Sequence, residues 1–183
     1  MNPVVIAVIV IAALVVVGIA IAVTRSRRSQ RLRTQFGPEY EHQVEEAKGD
    51  RGKAESALLK REKRVEKFDI HPLPPERRAA FAGDWQQVQA KFVDDPQRSI
   101  AEADALLAEV MKARGYPVED FEQRAADLSV EHPRLVDNYR SAHDIAVRHA
   151  KGEVGTEDLR KAFIGYRSLF EDLLRADEPE LAH

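Results

Sequence analysis

Residues 4–23 read VVIAVIVIAALVVVGIAIAV, twenty positions without a charge or a hydrogen-bonding side chain. Fourteen of them are Val, Ile or Leu, five are Ala and one is Gly. Twenty helical residues rise about 30 Å, the depth of a bilayer's hydrocarbon core. Inside lipid an unpaired backbone N–H or C=O costs several kcal/mol, so a single span has only the helix to adopt. At roughly −0.3 to −0.6 kcal/mol for each Val, Ile or Leu, the run favours insertion by about 4 to 8 kcal/mol. The expectation is a transmembrane anchor over residues 1–23. A cleaved signal peptide is the alternative, because Ala20-Ile21-Ala22 has the small residues of a cleavage site. No Lys or Arg precedes the run, and it exceeds an ordinary signal-peptide core, so the anchor is preferred.

Arg25, Arg27, Arg28, Arg31 and Arg33 follow at once and form a basic juxtamembrane segment, residues 24–37. The positive-inside rule places them, and the body behind them, in the cytoplasm, with Met1-Asn2-Pro3 outside. They imply contact with anionic lipid headgroups. Leu32 and Phe36, four apart, are expected to dip into the interface. Gly37-Pro38 then turns the chain.

Of the 28 Lys and Arg, these five precede the first acidic residue, Glu39; the other 23 face 31 Asp and Glu, a net of −8. An acidic body lacks the cations that neutralise phosphates, so no nucleic-acid partner is expected. The absence of cysteine removes disulfides, thiol catalysis and thiolate metal sites.

In residues 38–68, Tyr40, Val44, Ala47, Arg51, Ala54, Leu58, Arg61, Val65 and Phe68 recur at alternating spacings of four and three. The spacing predicts one long charged helix with a heptad seam, with residues 49–52 as the place for a kink at Gly49 and Gly52. A helical hairpin is the alternative. The seam serves either to lay the helix on the following domain or to join two copies. Gly18 and Ala22 offer a small-xxx-small pair for the same homo-oligomer.

Residues 69–175 predict a five-helix antiparallel bundle behind a proline-rich turn at residues 69–75. The expected inward residues are Phe81, Trp85, Val88 and Phe92; Ile100, Ala103, Leu107 and Val110; Phe121, Ala125 and Leu128; Leu135, Tyr139, Ala142 and Ala146; and Leu159, Phe163, Tyr166, Phe170 and Leu173. Asp95 before Pro96 and Thr156 before Glu157 are expected N-caps. Residues 176–183 form a polar tail. The fold class is therefore all-α: an N-terminal transmembrane helix, a long charged helix and a bundle.

Catalytic patterns are missing. His143 and His149 are six apart and cannot share a helix face as zinc ligands do. His143 with Asp144 and Glu131 is at most a loose acid–base group, and His42, His71 and His132 are isolated. Asp94-Asp95 fits helix capping better than paired-carboxylate catalysis. No phosphate-binding glycine loop or nucleophile elbow occurs. No catalytic residue, metal or cofactor is expected.

The segments RTQFGPEY, HPLPPERR, WQQVQAKFVDDP and RGYPVEDFEQRAADLSVEHPRLVDNYR resemble a set of uncharacterised bacterial proteins described as membrane or secreted. The resemblance implies a bacterial source and an anchored helical domain, and carries no activity. The expected function is that of a non-enzymatic interaction or scaffold module at the bacterial inner membrane, with an unidentified protein partner. The alternatives are a small-ligand sensor or enzyme with a pocket beside Trp85, Tyr139 and His143, and a homo-oligomer through the 40–68 seam.

Overall fold

The computed structural model describes the backbone of residues 3–175 and the side chains of residues 12–175. The expected tail at residues 176–183 lies outside the described residues, as do the first two residues. Eight helices make up the described chain: α1 (Pro3–Phe36), α2 (Pro38–Glu46), α3 (Arg51–Val65), α4 (Pro75–Lys91), α5 (Pro96–Ala113), α6 (Phe121–Glu131), α7 (Pro133–Ala150) and α8 (Thr156–Arg175). There is no strand among the described residues.

Helix α1 is continuous for 34 residues, from the apolar run through the arginines to Phe36. Among the described residues no helix is long and apolar enough to cross a membrane. The expected span over residues 4–23 is thus not supported at that level; side chains 4–11 lie outside the described part. Within the described remainder, Leu14, Val15, Val16, Val17, Ile19, Ile21 and Val23 are all exposed.

The far end of α1 corrects one expectation. Leu32 and Phe36 do not face an interface with lipid; both are fully buried with Tyr40 and Leu58, flanked by Val44, Leu59 and Val130. Their i, i+4 stripe finds protein to cover it.

The expected long helix at 38–68 is a hairpin of α2 and α3. Lys48 (φ 55°) and Gly49 (φ 84°) both adopt left-handed backbone, which ends α2 and reverses the chain. Asp50 then restarts it as an N-cap, its carboxylate accepting from Lys53 N–H at 3.0 Å. The seam residues Tyr40, Ala54, Leu58 and Val65 do point inward. They are covered by the chain's own helices, while Val44, Ala47, Arg61 and Phe68 of the seam are partly exposed and Arg51 is exposed.

The bundle helices, α4 to α8, bury most of the expected stripes, with Phe92, Phe121, Leu135 and Ala146 only partly buried at the core's edge. Phe81, Trp85 and Val88 from α4, Ile100, Ala103, Leu107 and Val110 from α5, and Leu159, Phe163, Tyr166, Phe170 and Leu173 from α8 share one core. Trp85 stacks between Phe163 and Phe170, with ring centroids at 5.1 and 4.6 Å. With Phe92 against Phe163 at 4.6 Å, this sets α4 antiparallel to α8. Helices α7 and α8 are also antiparallel: His132 meets Asp172 at one end, and Tyr139 meets Tyr166 further along. At Gly165 the two backbones come so close that a Cβ would sit 2.9 Å from the Asn138 carbonyl oxygen. The α5–α8 contact is parallel, however. Ile100 and Leu159 share a cavity near the start of both helices, while Arg114 donates to the Leu173 carbonyl near their ends. Two intervening helices bring α8 back in the direction of α5.

The caps divide. Asp95 accepts from Arg98 N–H at 3.0 Å, as expected. Thr156 does not act as the cap: it is the first helical residue, and Asp158 reaches back to the Gly155 N–H at 3.4 Å.

The hairpin lies against α6 and α7. Glu39, at 1% exposure, lies between two guanidiniums. Arg61 Nη1 donates to its Oε1 at 2.7 Å, and Arg140 donates through Nη2 to Oε1 at 3.1 Å and Nε to Oε2 at 3.3 Å. Arg61 also donates to Gln43, and Arg140 to Glu122. Beside this network Arg64 Nε donates to the buried Asp127 at 3.0 Å.

Candidate functional site

The five arginines that follow the apolar run divide by helix face. Arg31 leaves the collar for α3, where its Nη2 donates to both carboxylate oxygens of Glu62 at 2.7 and 3.1 Å. Arg33 sits over the Tyr40 ring, 5.1 Å from its centroid. Arg27 borders a shallow depression with Gln30, Arg31, Thr34 and Gln35. Arg25 and Arg28, three apart and so on one face, line a different groove of about 550 Å³ with Ser26 and Ser29. Its opposite wall is the start of α3: Arg51, Gly52 and Glu55.

No ion pair engages Arg25, Arg28 or Arg51 among the described residues. Glu55, the groove's one acid, accepts from the Tyr40 hydroxyl at 3.1 Å, which directs one of its oxygens to the hairpin core. Ser29 Oγ is 3.4 Å from the same hydroxyl. Chemically the groove offers three guanidiniums and two hydroxyls, the donor set suited to phosphate oxygens. In the sequence Arg51 is one position of the heptad seam. Its role follows from Gly49-Asp50, a helix stop followed by a cap, which puts Arg51 at the first position of a new helix.

A second site is the cavity of about 270 Å³ between α5, α7 and α8, lined in part by Ile100, Asp104, His143, Leu159 and Tyr166. The His143 ring stacks on Phe121 with centroids 3.6 Å apart and planes at 10°. Burial pushes its pKa below the ordinary value against the pull of Asp104 and Glu122. Asp104 is already engaged: Tyr139 Oη donates to it at 2.9 Å, and Arg124 Nη2 at 2.9 Å. Burial, with Asp104 beside them, raises the Tyr139 and Tyr166 hydroxyls far above the phenol range, so both stay protonated. Of the expected pocket residues only His143 lines this cavity; Tyr139 meets it only through its hydroxyl on Asp104, and Trp85 is in the core among phenylalanines.

The loose group of His143, Asp144 and Glu131 is not assembled. Asp144 pairs with Arg148 at 3.6 Å, and Glu131 accepts from Tyr116. His132 Nδ1 lies 2.6 Å from Asp172 Oδ2 and fastens α7 to α8. No trio of His, Asp or Glu among the described residues is arranged to hold a metal ion. The chain matches no family model, no curated protein and no solved structure.

Proposed function

We propose that this chain is a membrane-anchored, non-enzymatic interaction module, with residues 4–23 spanning the bacterial inner membrane and the helical body facing the cytoplasm. The observation that carries the reading is the continuity of α1: one helix runs from the apolar residues to Phe36, whose side chain is fully buried in the body. An anchor built this way has no slack. It holds the body at a fixed height and orientation, which suits a scaffold that presents one surface to a partner. Support for the span is the uncharged run in the sequence, together with the exposure of its described half on every side of the helix. The arginines supply the orientation.

Affinity capture of the full chain from detergent-solubilised membranes tests the interaction. The reading expects a second protein in stoichiometric yield, retained at the salt concentration that removes loosely bound material. Recovery of the chain alone contradicts it.

The cavity at His143 favours a second reading, a small-ligand sensor. A thermal-shift screen of polar metabolites on the full chain tests this. A shift lost in both His143→Ala and Tyr139→Phe, with each variant folded, supports the sensor; no shift from any compound argues against it.

A further inference from the structure

We propose that the groove between Arg25, Arg28 and Arg51 binds the phosphate of an anionic phospholipid headgroup, an inference that rests on the membrane anchor proposed above. Three features converge there. The first is charge without a mate. In a body with 31 acidic residues, arginines such as Arg31, Arg61, Arg64, Arg124 and Arg140 all hold carboxylates. The three that border the groove hold none among the described residues. The second is shape. The arginines that line the groove come from two elements, α1 and α3, and its volume of about 550 Å³ is ample for a phosphate group, with Ser26 and Ser29 on the α1 wall. Arginine's planar fork can grip two phosphate oxygens at once, which a single lysine ammonium does not. The third is height. Arg25 is two residues past Val23, about 3 Å along the helix axis, so an anchored α1 puts the groove at the level of the headgroups.

The start of α3 is not what makes the site, because Asp50 already caps it. Nor is the collar as a whole responsible. Arg27 belongs to another face, and Arg31 and Arg33 are tied to Glu62 and Tyr40. A headgroup in the groove bridges α1 to α3 and so reinforces the joint between anchor and body. A lipid supplies this ligand better than free phosphate does, since its acyl chains lie beside the apolar run of the same helix.

Native mass spectrometry of the full chain, released from a nonionic detergent, reads the binding directly. The probes are dioleoyl phosphatidylglycerol, dioleoyl phosphatidylcholine and inorganic phosphate. The expected result is one tightly held phosphatidylglycerol, with affinity falling about tenfold in Arg28→Gln and in Arg51→Gln and hardly at all in Arg27→Gln, which loses the same charge. Equal losses in all three variants, or equal retention of phosphatidylcholine, overturn the groove in favour of a diffuse collar. Inorganic phosphate held as tightly as the lipid overturns the headgroup assignment. Flotation with neutral phosphatidylcholine vesicles separates the two levels. A chain that floats yet binds no headgroup through Arg28 and Arg51 loses the groove alone; a chain that stays at the bottom loses the anchor as well.

Discussion

Glu39 and Arg140, 101 positions apart, meet through a two-pronged ion pair that fastens the hairpin to the bundle. Glu39 is 1% exposed and also holds Arg61. Two guanidiniums share this one carboxylate, and each makes a further bond, Arg61 to Gln43 and Arg140 to Glu122. Such an arrangement specifies orientation more than it adds stability, because desolvating the ions offsets much of their attraction. Removing one partner is another matter. Glu39→Ala leaves two guanidiniums facing each other and is expected to destabilise the full chain by about 3–5 kcal/mol. Chemical denaturation reads the loss. In a double-mutant cycle with Arg140→Ala the two changes are expected to be clearly non-additive; additive effects contradict the pairing.

Phe36→Ala is expected to cost about 3–5 kcal/mol in the small core around Leu58. The damage should be local. Hydrogen exchange is expected to quicken in residues 26–36 and in the hairpin, while the amides of α5 and α8 keep their protection. Equal loss of protection in the bundle would mean that the two cores fold as one unit.

Gly165→Ala separates helix propensity from packing. In an isolated helix the change is favourable by about 1 kcal/mol. Here the new methyl group sits 2.9 Å from the Asn138 carbonyl oxygen and 3.2 Å from the Ala142 Cβ. Overpacking of this kind costs about 1–3 kcal/mol, so the thermal midpoint is expected to fall. A rise would show that α7 and α8 separate readily.

His143 gives the fold an acid-side dependence. Its folded pKa lies below the ordinary value of about 6.5, so the unfolded chain binds the proton first as pH drops. The stability it contributes is complete above the ordinary value and declines as pH falls toward the folded one. Asp104 and Glu122 resist this shift, whereas Arg124 and burial promote it. His143→Gln is expected to flatten the fall in unfolding free energy between about pH 7.5 and 5. An unchanged slope would place the titration elsewhere.

The bundle was readable because its stripes are dense. Phe163, Tyr166, Phe170 and Leu173 in α8 recur at helical spacing, and all of them enter the core. The hairpin was not, for a definite reason. A heptad seam keeps its phase whether the chain continues or doubles back, so Tyr40, Leu58 and Val65 look inward in both arrangements. What decided between them was backbone conformation at Lys48 and Gly49, with Asp50 as cap. Leu32 and Phe36 were misassigned to lipid because an apolar pair beside arginines reads the same whether protein or membrane covers it. The groove's third arginine, Arg51, arrives through that same hairpin and could not be joined to Arg25 and Arg28 by spacing alone.

The central claim is that α1 anchors this body to a bilayer without a break. Alkaline carbonate extraction of membranes from cells producing the full chain, followed by N-terminal sequencing of the recovered protein, tests it most directly. The account predicts that the chain stays in the pellet with its N-terminus upstream of Val4. A chain released into the supernatant, or one that begins after Ala22, would contradict it.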